Sequence, residues 1–397
     1  MGHTRSYLPY AKQSISEEDI QAVADALKEE WITRGPLVQE FEQACATYLQ
    51  VPYAIAFNSG TAALMAAYFA AGLCSFDRVI STPNTFIATL GGAIEIGIAP
   101  CFIDIDRLTG NMDMTQVTDQ FDFSLKRGRP FIVPVHFSGL ALDMEKLSNA
   151  ISHPDAVIIE DAAHALGSFY PCGQKVGNCV YSDMTIFSFH PAKSLTTGEG
   201  GMVTTRNPEF YHRLQLFRNN GIERHAPYLR QPEADGYYEV QAISGNFNFT
   251  SFQAALGLSQ LRRLDRFIEK RRKLVKLYRK RLANIPHLIL FHDNQDESSA
   301  FHLFVVQIDF AAYRTTREKV MRQLHDQGIG TQVHYIPLYH HPVVRARREL
   351  QGVNHPNMEL YYQQTLSLPL YVDLREEEIE RICHALIEIL GGAVSQK

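Results

Sequence analysis

The chain has 397 residues, of which 45% are hydrophobic and 20% charged, with a formal net charge of −5. That size supports a large core and two domains. The mild acidity excludes a broad basic face, and with it a nucleic-acid polymer as partner. Apolar runs of strand length exclude a membrane span.

No charged-then-apolar leader opens the chain, so the expected location is the cytoplasm. Met1-Gly2 with Ser6 formally fits a myristoylation pattern, a short match that nothing nearby supports. The six cysteines, Cys45, Cys74, Cys101, Cys172, Cys179 and Cys383, lack CxxC spacing and read as reduced thiols. The sixteen histidines include His340-His341 but form no HExxH or Cys/His array, so no metal is expected.

In chain order, Ser16-Glu17-Glu18-Asp19 opens a first helix as an N-cap with acids in its first turn. Ile20, Val23, Ala24 and Leu27 follow at helical spacing. Gly35-Pro36 breaks the chain before a second helix through Phe41 and Tyr48. Short apolar runs then alternate with helical stretches, at 53–57, 79–81, 101–105, 131–135, 156–160, 184–189 and 202–204. Continuous apolarity predicts strands buried on both faces, hence a mostly parallel sheet between helix layers. Residues 252–282 read as one long basic amphipathic helix with a solvated face. Beyond it, 300–308 and 330–335 read as strands, and 317–327 and 376–390 as helices, of a smaller α/β domain. The predicted division is 1–251 for the large domain, 252–284 for a bridging helix and 285–397 for the small domain.

Four segments beyond different predicted strands carry chemistry. Asn58-Ser59-Gly60-Thr61-Ala62-Ala63-Leu64 follows a strand and opens a helix, where backbone N–H groups suit a phosphate. The same turn serves equally as an ordinary N-cap. Asp161 ends a strand, with His164 three residues on. A carboxylate there can hold a ring nitrogen protonated, or simply cap a helix. Phe86, in Thr82-Pro83-Asn84-Thr85-Phe86, can stack on a planar ligand or pack in a core. Lys193 follows a strand and a His-Pro break, and a partly desolvated lysine there can form a Schiff base. Ser188, just before it, can hold a phosphate. Together these are the parts that pyridoxal 5'-phosphate (PLP) requires.

The chain resembles the DegT/DnrJ/EryC1/StrS sugar-nucleotide aminotransferases over essentially its whole length. The resemblance rests on Phe187-Ser188-Phe189-His190-Pro191-Ala192-Lys193 with Thr197-Gly198-Glu199-Gly200-Gly201, on 58–64, on 160–164 and on Thr33-Arg34-Gly35-Pro36. Pro134-Val135-His136-Phe137-Ser138-Gly139, Gly257-Leu258-Ser259-Gln260-Leu261 and Gln332-Val333-His334-Tyr335-Ile336-Pro337 are similar to the family's pseudaminic acid branch. The resemblance implies a fold type I (aspartate aminotransferase-like) structure. It implies transfer of an amino group from L-glutamate to C4 of a UDP-linked 4-keto-6-deoxy-N-acetylhexosamine, with pyridoxamine 5'-phosphate formed on the way. Other 3- or 4-keto sugars on dTDP or GDP, and a non-catalytic regulatory role, are the rival readings.

Carried over residue by residue, Lys193 matches the lysine that holds the cofactor. Asp161 matches the partner of its ring nitrogen, and His164 the residue beside its phenolic oxygen. Phe86 matches the stacked aromatic, and Thr61, Ala62 and Ser188 the phosphate contacts. The family works as a homodimer with a shared site, and Asn246 falls on the asparagine that reaches the partner's phosphate. Tyr10, His334 and Tyr335 align with the substrate side. Three positions depart from the family: Asn248 stands where an arginine is usual, Asn220 where a histidine is, and Ser251 where an acid is common.

Overall fold

The computed structural model describes residues 7–120, 128–151, 153–230, 236–291, 297–346 and 355–395. The Met1-Gly2 and Ser6 pattern lies outside the described residues. The strands are β1 (Tyr53–Phe57), β2 (Arg78–Ser81), β3 (Cys101–Phe102), β4 (Pro130–Val133), β5 (Val157–Asp161), β6 (Met184–Ser188), β7 (Gly201–Thr205), β8 (Ile222–Glu223), β9 (Glu239–Val240), β10 (Leu288–Leu290), β11 (Phe304–Ile308) and β12 (Thr365–Leu368). The helices are α1 (Glu17–Ala26), α2 (Pro36–Leu49), α3 (Gly60–Ala70), α4 (Ala88–Glu95), α5 (Met114–Gln120), α6 (Met144–Ala150), α7 (Pro208–Arg218), α8 (Ser251–Leu261), α9 (Leu264–Leu282), α10 (Arg317–Asp326), α11 (Pro342–Arg345), α12 (Pro356–Gln364) and α13 (Glu376–Ser395).

Seven strands form one sheet in the order β1-β7-β6-β5-β4-β2-β3. β7 is antiparallel to both neighbours, and every other pairing is parallel. Six strands therefore end at the same edge, where loops of open parallel sheets hold ligands.

Alternation along each strand explains the layers. In β1, Ala54 and Ala56 join Phe41 and Leu49 of α2 in one core. Ile55 and Phe57 join Ala63, Ala67 and Leu214 of α3 and α7 in another. β5 divides likewise, Ile158 to the first core and Ile159 to the second. Each fully buried aliphatic side chain contributes about 1.5–3 kcal/mol, and both faces are used.

A second, antiparallel sheet, β10-β11-β12, has its own core with α9, α10 and α13, through Leu274, Val306, Leu366, Leu324 and Leu386. Three predicted elements differ. The helix expected over 252–282 breaks between α8 and α9, whose halves pack on different partners: α8 on α1 and α2, α9 on α13. The strand expected over 330–335 is absent. Gln332 makes one bridge to Ser367, and Tyr335 N–H turns to the Asn84 side chain instead (3.1 Å). The run 101–105 stops pairing after Phe102 because the Asp104 carboxylate takes the N–H groups of Ile105, Asn357 and Met358.

In α1, the two ends of the apolar stripe are exposed, Ile20 by 54% and Leu27 by 56%, while Val23 and Ala24 are half-buried. Asp19 and Ala26 are buried instead. The Asp19 carboxylate accepts from Ser16 N–H (3.0 Å), Ser259 Oγ (2.6 Å), Gln260 Nε2 (2.6 Å) and the Arg263 guanidinium. Burial pushes its pKa up. The bonds from Ser259, Ser16, Arg263 and Gln260 outweigh that and hold it below the usual carboxylate range. A depressed folded pKa adds stability that is present above the unfolded value, about 4, and is lost as pH falls through the folded value. Asp19→Ala is expected to cost roughly 2–4 kcal/mol at neutral pH and less in acid, read from urea unfolding at several pH values.

Candidate active site

The shared strand edge opens on a cavity of about 950 Å³, lined among others by Thr61, Phe86, Asp161, Ser188 and Lys193. These residues come from four segments far apart in sequence, Ser188 and Lys193 sharing one. Parallel pairing of β5 with β6 sets Asp161 opposite Ile186, two residues before Ser188 ends its strand.

The loop after β6 is tied down at both ends. Phe189 N–H donates to Gly200 O (2.9 Å), and its carbonyl accepts Thr197 N–H and Thr196 Oγ1, both at 3.0 Å. Lys193 N–H donates to His190 O (2.8 Å). Gly201 then lets β7 start flush against the α3 cap, since a Cβ there would stand 2.3 Å from Ser59 O. Lys193 is half-buried in the cavity wall. Loss of solvent pushes its amine down to about 8, against a smaller upward pull from Asp161.

Asp161 is 5% exposed. Its Oδ2 accepts from Thr89 Oγ1 (2.6 Å) and its Oδ1 from Ala163 N–H (3.1 Å). Thr89 Oγ1 lies 2.6 Å from Thr85 Oγ1. Since Thr89 gives its proton to the carboxylate, Thr85 must donate to Thr89, and the two hydroxyls form a directed chain. Burial still raises the Asp161 pKa overall, with Thr89 the largest opposing influence.

His164 Nδ1 accepts Ser138 N–H (3.2 Å), so its proton sits on Nε2, 3.1 Å from Tyr335 Oη. Burial and the Lys193 charge keep this imidazole neutral, far below its usual pKa. The same two causes bring His334 down to about 3. His334 Nδ1 meets Ser367 Oγ at 2.8 Å, and Tyr10 tilts over its ring at 5.8 Å. All three substrate-side residues of the sequence reading, Tyr10, His334 and Tyr335, line the cavity.

The start of α3 forms the far end. Ser59 Oγ takes the Ala62 N–H (3.0 Å), which leaves the first N–H groups of the helix, at Gly60 and Thr61, without partners in the helix. A Cβ at Gly60 would come within 3.0 Å of Ser188 Cβ, so glycine keeps this cradle open. Ala62 is buried behind it rather than lining the cavity. Phe86 lines the cavity at 59% exposure, its ring 6.4 Å from that of Tyr335. An amine, a buried carboxylate, an exposed aromatic face and a helix-end cradle share one cavity, and this donor set fits PLP. Asn246 lies outside it, on the loop joining Gly245 to Asn248.

Sequence reading missed Thr85, Thr89 and His302. Thr89 lies in the first turn of α4 and Thr85 in the bend just before it, and their contact appears only in the fold. His302 gives no sequence signal. It is 4% exposed, lines the cavity 4.3 Å from the His164 ring, and its Nδ1 has no partner among the described residues. Among the described residues no cluster of His, Cys, Asp or Glu suits a metal ion, and all six cysteines are unpaired.

Comparison with known proteins gives the family and the fold. The spore coat polysaccharide biosynthesis protein SpsC of Bacillus subtilis is 35% identical over 388 residues, 98% of each chain. PseC of Helicobacter pylori, an aminotransferase involved in the biosynthesis of pseudoaminic acid, superposes with a TM-score of 0.89 at 29% identity, over 98% of this chain and 100% of its own. The putative sugar aminotransferase Spr1654 of Streptococcus pneumoniae, solved in PLP and PMP forms, gives 0.85 at 26% identity; the match covers 97–98% of this chain and 100% of Spr1654. The architecture is that of fold type I aminotransferases. The profile of the DegT/DnrJ/EryC1/StrS aminotransferase family matches residues 13–387, and the chain belongs to that family.

Proposed function

We propose that this PLP-dependent sugar aminotransferase moves an amino group from L-glutamate to C4 of a UDP-linked 4-keto-6-deoxy-N-acetylhexosamine, in pseudaminic acid or related surface-glycan synthesis. The observation that carries the aminotransferase chemistry is the pairing of Lys193 and Asp161 across one desolvated cavity at the strand ends. The likeness to PseC and SpsC supports the sugar and the pathway.

Bound PLP would supply the carbonyl carbon that exchanges amino groups and the ring that accepts electrons as the proton leaves. Lys193 would hold it and, when released, carry a proton to and from the reacting carbon. An amine poised near 8 suits both directions at neutral pH. Asp161, anchored by Thr89 and Ala163, would hold the ring nitrogen protonated. His164 would present its Nε2–H beside the phenolic oxygen, and Phe86 would cover the ring face. Gly60 and Thr61 N–H groups, the Thr61 hydroxyl and Ser188 would cradle the phosphate, with Ala62 in the turn behind. Tyr10, His334 and Tyr335 would face the sugar nucleotide.

The reading also makes the enzyme a homodimer with a shared site, in which Asn246 serves the partner's phosphate. Two observations support it. Ile20, Leu27, Trp31 and Ile32 are each at least 50% exposed near the N-terminus. No arginine lines the cavity among the described residues, so its own chain offers little charge to a nucleotide diphosphate. The same reading keeps the enzyme cytoplasmic, as its unpaired thiols support. It takes 1–251, 252–284 and 285–397 as large domain, bridge and small domain.

Three measurements bear on this. With UDP-, dTDP- and GDP-linked keto sugars and glutamate, turnover is expected only with a UDP-linked 4-keto sugar; turnover confined to another nucleotide rejects the substrate. Capture of PLP by the apoprotein, followed by visible absorbance, should accelerate with pH and level off above about 8, and Lys193→Ala should abolish borohydride-stable labelling. Thr89→Val keeps the volume but removes the proton given to Asp161. It should weaken cofactor affinity and slow amination about tenfold, while Thr89→Ser stays near wild type.

A further inference from the structure

Asn248, where the sequence departs from its family, meets Asn219 and Asn246 in space. The segment through Asn246 is pinned against the end of α7. Asn219 bridges Asn246, Asn220 N–H donates to Gly245 O (3.0 Å), and Phe247 N–H donates to Arg218 O (2.9 Å). Phe247 also stacks on Phe217 at 5.0 Å and 7°. Asn248 N–H then donates to Asn246 Oδ1 (3.2 Å). Its side-chain Nδ2 donates to the same oxygen (2.7 Å) and to Asn219 Oδ1 (3.2 Å), which also accepts from Arg34 Nη1 (3.3 Å).

These bonds fix both amide orientations. Asn248 has two N–H donors and two oxygens facing it, so turning the amide over would set oxygen against oxygen. Asn246 Oδ1 is held by two donors, so the exposed end of that side chain is its NH2 group. An outward NH2 group offers two hydrogens to an anion; an outward carbonyl would repel one.

We propose that Asn248 is a positioning residue, which locks Asn246 with its amide hydrogens facing outward to receive the phosphate of the cofactor held by a second copy of the chain. The proposal rests on the reading that Asn246 serves that phosphate. Where an arginine would add a positive charge, this chain presents a neutral, oriented donor. Cofactor binding therefore depends less on ionic strength than guanidinium recognition would.

The test compares two isosteric variants by fluorescence titration of the full-length apoprotein with PLP and with pyridoxal, which lacks the phosphate. Asn246→Asp removes the outward donor, and Asn248→Asp removes the lock. Each is expected to weaken PLP binding about tenfold and leave pyridoxal binding unchanged, and the double variant should be little worse than Asn246→Asp alone. If Asn246→Asp alone weakens PLP, Asn248 does not position it and the proposal fails. If neither variant alters the preference for PLP, the phosphate reading of Asn246 fails first. Equal losses for PLP and pyridoxal in Asn248→Asp would mean that the loop has collapsed, and that too overturns the assignment.

Discussion

Two consecutive carboxylates at the end of β5, Glu160 and Asp161, set the constraint on which the site depends. A strand turns successive side chains to opposite faces, so the two acids enter different environments. Glu160 points into the protein and is saturated. His136 Nε2 lies at 2.6 Å, Tyr170 Oη donates at 2.7 Å and Thr185 Oγ1 at 2.9 Å, with Ser182 Oγ beside them. Burial raises its pKa, yet these bonds bring it below the usual range, and it stays ionised. Asp161 is equally desolvated but has two donors, and its pKa remains raised. The difference between the neighbours is unused hydrogen-bonding capacity at Asp161. A cationic ring nitrogen in the cavity would supply what the chain withholds, and the cost of burying Asp161 would be recovered on binding.

The same economy of charge governs the imidazoles. His164, His302 and His334 all lie in the cavity wall, and burial holds each below its usual pKa. If they were charged, they would oppose the Lys193 ammonium and drive its pKa lower still. Neutral, they leave Lys193 facing Asp161, and they still offer directed hydrogen bonds to Tyr335 and Ser367. Tyr335 reaches this place because its backbone N–H is taken by Asn84 from the loop after β2, which couples this wall of the cavity to the large sheet.

Much of this was legible in the sequence because strand ends punctuate it. The run 53–57 is β1 residue for residue, and its Ser-Gly-Thr turn caps α3 as read. Lys193 with Ser188, Asp161, Phe86 and Thr61 were placed at the ends of four separate strands, and topology brings them to one edge. What failed was pattern without partner knowledge. Apolar spacing marked α1 as a helix, whereas its most buried anchor is the polar Asp19, which no periodicity marks. Basic periodicity ran unbroken through Arg263, but that residue turns to Asp19, at the break between α8 and α9. Asn219 and Asn248 show the limit most clearly. Read singly, the substitution at 248 looked like a lost charge. In the fold, the amide is one link in a chain from Arg34 through Asn219 to Asn246, and its meaning lies in the orientation it imposes. Hydrogen-bond direction belongs to groups that meet only after folding, so no spacing along the chain can encode it.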